Sequence, residues 1–243
     1  MLDRIKIILV KPSHPGNVGA VARAMKTMGL SRLCMVSPCH FHCQEATVRA
    51  SGADDLLATA EVYDSLETAI ADCQTVYATS ARSRALPWPT GTARSCADQM
   101  ATEDQGQMAV VFGCESSGLS NTHLSLCDYH LVIPTVSHFS SLNLASAVQI
   151  VCYELFCAAQ QPNKAGIETP QDSPLADSGS VTGLIEAMTA LMQSIGFLDP
   201  KHPKLLIQRL SRLFHRARLE KTEVHILRGL VSNIEKKMTG SSQ

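Results

Sequence analysis

Residues 140–155 read SSLNLASAVQIVCYEL: a polar quartet, Ser140-Ser141-Leu142-Asn143, runs into a helical pattern that carries no charge until Glu154. An apolar run, HLVIP at 130–134, comes just before it. Strand, polar loop and apolar helix in that order are the parts of a βα unit. Two more polar, glycine-punctuated stretches lie upstream. HPGNVGAVARAMKTMGL at 14–30 follows the strand-like IKIILV of 5–10, and VFGCESSGLSN spans 111–121. Polar groups at strand ends are where α/β proteins build sites, so three such loops suggest one shared pocket.

Working outward, the apolar runs predict five strands: 5–10, 33–37, 75–79, 108–112 and 130–134. Helices are expected over 17–28, 45–53, 66–72 and 142–160. Strands alternating with helices predict an α/β fold with a mostly parallel sheet. QPNKAGIETPQDSPLADSGS, at 161–180, has no period and reads as a linker. Beyond it, Val181, Leu184, Ile185, Met188, Leu191, Met192 and Ile195 keep helical steps, and 205–219 and 222–237 read as two further helices. The division is therefore 1–160, a linker at 161–180, and a small helical domain at 181–238.

The 243 residues suffice for one large domain or two smaller ones. No apolar run approaches the roughly 18–20 residues of a membrane span, and Lys6 interrupts the N-terminal one. Nine cysteines, an odd number, without an export signal predict reduced thiols in the cytoplasm. The net charge of −1 hides a split: residues 1–179 hold 11 basic and 17 acidic residues, a net of −6, and residues 180–243 hold 10 and 5, a net of +5. A basic tail on an acidic body fits either a polyanionic partner or a solvated helix face.

The loops themselves are polar but not standard nucleotide motifs. His14-Pro15-Gly16-Asn17-Val18-Gly19 has neither a Rossmann nor a Walker pattern. Arg23 and Lys26 lie about two turns into the helix, solvated or set to meet phosphate. Thr79-Ser80-Ala81 closes a strand, and Arg82 and Arg84 beside it suit phosphate. Trp88 would stack a base or pack under a loop. In the 113–119 loop Glu115 is the one carboxylate, and Cys114 has no histidine base beside it. Cys39-His40-Phe41-His42-Cys43 crowds four ligand types into five residues, which does not surround one tetrahedral ion, so no metal is expected.

Taken in order, Asn17…Arg23, Gly113-x-Glu115-x-x-Gly118-Leu119 and Ser141-Leu142-Asn143-Leu144-Ala145 resemble the three motifs of the SpoU branch of the SPOUT methyltransferases. ARAMKTMGL, TSARSR-x-LPWP, SSLNLA-x-AVQ and the tail FLDPKHPKLLIQRLSRLFHRARLEKTEVHILRGL at 197–230 are similar to that branch's tRNA cytidine/uridine-2′-O-methyltransferases. The resemblance covers about 1–160 and 181–232. It implies a SPOUT α/β-knot domain, with a C-terminal trefoil knot threading about 129–158, followed by a small helical domain. It implies S-adenosyl-L-methionine as cofactor, tRNA as partner, and a homodimer whose active site is shared across the interface.

Residue by residue, the resemblance assigns cofactor contacts to Thr79, Ser80, Ala81, Gly113, Ile133, Ser140, Ser141 and Leu142. The catalytic set is Asn17, Arg23, Glu115, Ser141 and Asn143. RNA contacts fall to Arg23, Lys26, Arg82, Arg84, Lys201, Lys204, Arg209, Arg212, Arg216 and Arg218. The implied reaction is methyl transfer to a ribose 2′-hydroxyl of tRNA, at cytidine or uridine 32 of the anticodon loop. A ribosomal RNA substrate and a non-catalytic RNA-binding role are the alternatives. Relatives carry Arg where this chain has Cys114, which removes one positive charge from the loop.

Overall fold

The computed structural model describes residues 1–80, 88–102, 106–161, 173–201 and 205–240. Among these residues seven strands form one sheet: β1 (Ile5–Val10), β2 (Arg32–Val36), β3 (Glu61–Tyr63), β4 (Cys73–Thr79), β5 (Thr90–Thr92), β6 (Gln107–Phe112) and β7 (Tyr129–Val132). Their order is β3-β2-β1-β6-β4-β7-β5, and every pairing is parallel. β1 sits inside the sheet and is buried along its whole length, as a parallel strand covered on both faces must be.

The pleat divides β1 between two cores. Ile5, Ile7 and Leu9 face α1 (Pro15–Thr27), α2 (Gln44–Ala50), α5 (Ala93–Thr102) and α7 (Leu144–Ala159). Ile8 and Val10 face the other layer, which holds Leu66, Ala69 and Ile70 of α4 (Leu66–Ile70) and Leu124 of α6 (Asn121–Ser125). Gly19 of α1 lies so close to α2 that a Cβ there would stand 2.0 Å from the Ala46 carbonyl oxygen.

All five expected strands are present. β3 and β5, at the two sheet edges, and the short helices α3 (Asp54–Ala58), α5 and α6 are additions. Helix boundaries move for local reasons. α1 starts at Pro15, whose missing N–H costs nothing at N1. α2 stops at Ala50, before Ser51 and Gly52 at positive φ. β7 stops short of Pro134.

The C-terminal helices are α8 (Ser178–Ser194), α9 (Leu206–Ala217) and α10 (Lys221–Gly240). Residues 173–180, expected within the linker, are bound to other elements. The Ala176 N–H donates to the Leu219 carbonyl, Asp177 caps α8 by accepting from the Ser180 N–H, and the Gly179 N–H donates to the Ala71 carbonyl. α8 packs on both α4 and β4. Among the described residues, no helix is long and apolar enough to cross a membrane.

Candidate functional site

The site forms where β1, β4, β6 and β7 end. Beyond β6 the chain folds back on itself. The Gly118 N–H donates to the Cys114 carbonyl at 2.8 Å, and a Cβ on Gly113 would stand 2.2 Å from the Gly118 backbone. Only glycine fits Gly113, and the tight return presents Glu115 to the loop after β1. One Glu115 oxygen accepts from the Ser13 N–H at 3.0 Å and the Ser13 hydroxyl at 2.8 Å. The other accepts from the Asn17 amide at 2.9 Å. The Asn17 carbonyl oxygen accepts from the Asn143 amide at 3.0 Å, and Asn143 Oδ1 caps α7 by accepting from the Ala145 and Ser146 N–H groups. Three loops, far apart in sequence, are thus tied into one hydrogen-bonded series.

Partial burial alone would raise the Glu115 pKa. The hydrogen bonds from Asn17, its own backbone and Ser13 prevail and lower it from 4.5 to about 2. Glu115 is therefore an ion at neutral pH. Cys114 sits beside it with its thiol on the Ser116 hydroxyl, and hydrogen bonds to Ser116 lower its pKa.

Next to this series lies an open cleft of about 190 Å³. Thr79, Ser80, Gly113, Ile133, Ser140, Ser141 and Leu142 all line it, seven of the eight residues read as cofactor contacts. The eighth, Ala81, lies outside the described residues, as do Arg82, Arg84 and Lys204. Apolar walls from Leu119, Leu131, Leu144 and Ala147 face hydroxyls from Thr79, Ser80 and Ser140. Such a lining suits a flat heteroaromatic ring with polar substituents. Glu115 is the acidic residue among the described lining residues, so a cationic group fits near it. S-adenosyl-L-methionine has both features, and the residues present fit it.

Ser13 was not singled out from the sequence, although it stands at a strand end like the other polar residues. Among the apolar wall residues Leu119, Leu144 and Ala147 stand within the motifs, while Leu131 reads in the sequence as ordinary strand core.

Arg23 is exposed on α1 and does not line the cleft. It sits about 9 Å further along the helix than Asn17, at 1.5 Å per residue. Among the described residues its guanidinium has no hydrogen bond or ion pair. Lys26 instead bridges to Asp55 at 2.7 Å and to the Gly52 carbonyl. Lys201, Arg209 and Arg216 are exposed.

Arg212 and Arg218 face the body of the protein. Arg218 donates to the Thr75 hydroxyl at 3.1 Å and the Tyr129 hydroxyl at 3.3 Å. Arg212 lies over the ring of Trp88, whose other neighbour is the parallel ring of His130 at 5.3 Å. Trp88 also donates its N–H to the Cys127 carbonyl at 2.9 Å, so it is packed under α9. His215 completes the contact with Asp128 at 2.9 Å. The 39–43 loop is anchored by buried Phe41 and by the Cys39 N–H on the Pro12 carbonyl. Among the described residues, no three His, Cys, Asp or Glu side chains gather as a metal site would need.

Residues 4–153 match the SpoU rRNA methylase family, and residues 180–243 match the C-terminal domain of the tRNA methyltransferase TrmJ. The chain is 43% identical to the tRNA (cytidine/uridine/adenosine-2′-O-)-methyltransferase TrmJ of Pseudomonas aeruginosa, over 100% of this chain and 98% of that protein. It is 43% identical to the tRNA (cytidine/uridine-2′-O-)-methyltransferase TrmJ of Pectobacterium atrosepticum, over 97% and 98%. Among solved structures, TrmJ from Z. mobilis superposes with a TM-score of 0.84 at 31% identity, over 95% of this chain and 98% of that one. A probable methylase family protein from Haemophilus influenzae gives 0.65 at 39% identity over the full length of both.

Proposed function

The chain belongs to the SpoU rRNA methylase family, and from that premise we propose that it methylates a ribose 2′-hydroxyl of tRNA with S-adenosyl-L-methionine. The observation that carries the reading is the Ser13–Glu115–Asn17–Asn143 series, joined to the cleft through Glu115. The finer proposal is cytidine or uridine at position 32 of the anticodon loop. The C-terminal match to a tRNA methyltransferase domain favours tRNA over ribosomal RNA. The retained Asn17, Arg23, Glu115 and Asn143 argue for an enzyme over a silent binder.

When bound, S-adenosyl-L-methionine supplies an activated methyl on a sulfonium, so positioning the acceptor hydroxyl is the main task left to the protein. Glu115, ionised and saturated with donors, orients Asn17 and favours the cationic cofactor. Ser141 lines the cleft and Asn143 holds Asn17, and in this reading the two align the hydroxyl. The Arg23 guanidinium holds a phosphate and stabilises the developing alkoxide as the hydroxyl proton passes to water. Because Arg23 stands away from its own cleft, it serves the cofactor of a second subunit. α7 supports such a homodimer: Tyr153 is exposed and Ile150 is only half buried. The reading includes the trefoil knot, with residues 129–158 threaded, and a division into domains at 1–160 and 181–238.

The test is methylation of unmodified tRNA with labelled cofactor, followed by nucleoside mass spectrometry. The expected products are 2′-O-methylcytidine and 2′-O-methyluridine at position 32. Arg23→Ala is expected to lose turnover while cofactor binding survives. Full activity in that variant removes Arg23 from the catalytic set, and no methylated nucleoside from the unaltered protein overturns the reading.

A further inference from the structure

Helix α10 carries two apolar sides. One buries Val224 and Val231 and leans Leu227 on the small core shared with α8 and Phe214. The other is exposed among the described residues. Ile226 is 70% exposed and Leu230 57%, with Ile234 and Met238 following, also exposed, at further steps of four. Steps of four keep side chains on one side of a helix. More than half of the large apolar side chains exposed among the described residues lie between 195 and 238. An apolar stripe of this kind marks a contact with another molecule.

The spacing identifies the occupant. Glu223, Ile226, Leu230, Ile234 and Lys237 stand at intervals of three, four, four and three, the same from either end. An antiparallel copy of the helix, turned about a two-fold axis at Leu230, sets Leu230 against Leu230. The same turn sets Ile226 against Ile234 and Glu223 against Lys237, each of these pairs formed twice. Glu223 lies in the first turn and Lys237 in the last, so the charges oppose across the pair. A self-complementary patch is what an isologous contact requires. Glu223 already accepts from the Glu220 N–H, and a carboxylate has room for a second donor. Phosphate-rich RNA would not seek such a stripe.

We propose that α10 is a self-association surface: two copies of this chain pair their α10 helices antiparallel, with Leu230 on the axis and Glu223 facing Lys237. The contact is separate from any made by α7 and does not depend on methyl transfer.

The experiment places the photo-reactive residue p-benzoylphenylalanine at position 230 of the full chain, or at position 236, off the stripe, as control. Irradiation at 230 is expected to yield a covalent pair of chains whose joined peptide lies within 226–234 of the second copy. Position 236 is expected to yield little. Lys237→Glu, which leaves the helix start untouched, is expected to lower the yield roughly tenfold, since like charges then face each other. Adding Glu223→Lys to it is expected to restore the yield. No inter-chain product at 230, a product mapped outside α10, or a double reversal that fails to restore it overturns the proposal.

Discussion

Asn17 gives its side-chain amide to the Glu115 carboxylate at 2.9 Å, from opposite ends of a 98-residue separation. With Ser13 on the other oxygen, Glu115 has its acceptor sites directed at donors of this chain. A carboxylate held at a pKa of about 2 is a weak proton acceptor at neutral pH. Its work is to fix Asn17, and through Asn17 the entry of α7. Glu115→Gln keeps the shape but places an amide where donors converge. The methyl-transfer rate is expected to fall roughly 10–100-fold, the scale set by small misplacements of reacting groups. A single-turnover assay with saturating cofactor measures it.

The same carboxylate gives stability a pH dependence. Its folded pKa, about 2, lies below the ordinary 4.5. The contribution is therefore complete above about pH 4.5 and is lost as pH falls toward 2. Melting temperatures of the unaltered chain and Glu115→Gln should differ most near neutrality and converge in acid. A gap that stays constant between pH 7 and pH 3 would show that the charge is not what the donors hold.

Asn143 does two things with one amide group: its oxygen caps α7 and its nitrogen reaches Asn17. Asn143→Asp separates them. Aspartate caps a helix as well as asparagine, but it cannot donate to the Asn17 oxygen. Stability is expected to hold while activity drops. Asn143→Ala is expected to lower both, with about 1 kcal/mol lost from the missing cap. Urea unfolding beside the methylation assay distinguishes the two variants.

The sequence shows these elements unequally, for physical reasons. β1, β4 and β6 are buried on both faces, so continuous apolar runs disclose them. β3 and β5 are three-residue edge strands, Glu61–Tyr63 and Thr90–Thr92, whose extended form comes from pairing rather than from their own pattern. Ser140–Asn143 was legible as a site because polar residues entering an apolar helix need a reason. Its contact with Asn17 was not, because a 126-residue separation leaves no local trace. The C-terminal arginines show the limit of charge counting. Arg209 and Arg216 point to solvent while Arg212 and Arg218 grip the body, and only packing sorts them.

Lys6 is a lysine inside a central strand, 2% exposed, with its ammonium on Asp72 at 2.7 Å and on the Ala69 carbonyl. Burial would raise the Asp72 pKa, but the Lys6 hydrogen bond and charge prevail and lower it. Removing one partner is the damaging change, because it strands a buried charge. Asp72→Asn is expected to cost on the order of 2 kcal/mol, less than for a fully buried pair because Asp72 is half exposed. Lys6→Met, which removes the charge with similar volume, is expected to cost less than Asp72→Asn. Equilibrium denaturation of the two variants checks the order, and a reversed order would mean that the ammonium tolerates burial alone.

His215 and Asp128 join α9 to the start of β7, and Asp128 also accepts from the Val76 N–H of β4. One turn of helix away, Arg212 covers Trp88, the single tryptophan of the chain. β7 then runs on to Leu131 and, just past its end, Ile133, both in the wall of the cleft. Loosening α9 therefore has a spectroscopic consequence at Trp88 and a functional one at the cleft. His215→Ala leaves Asp128 without its imidazole. Trp88 emission is expected to shift to the red as Arg212 lifts and water reaches the ring, and KM for the cofactor is expected to rise. Arg212→Ala should shift the emission with a smaller effect on KM, since the Asp128 contact survives. An unchanged emission in His215→Ala would mean that the remaining contacts, Ser211 on the Ser125 carbonyl and Arg218 on Thr75, suffice to hold α9 in place.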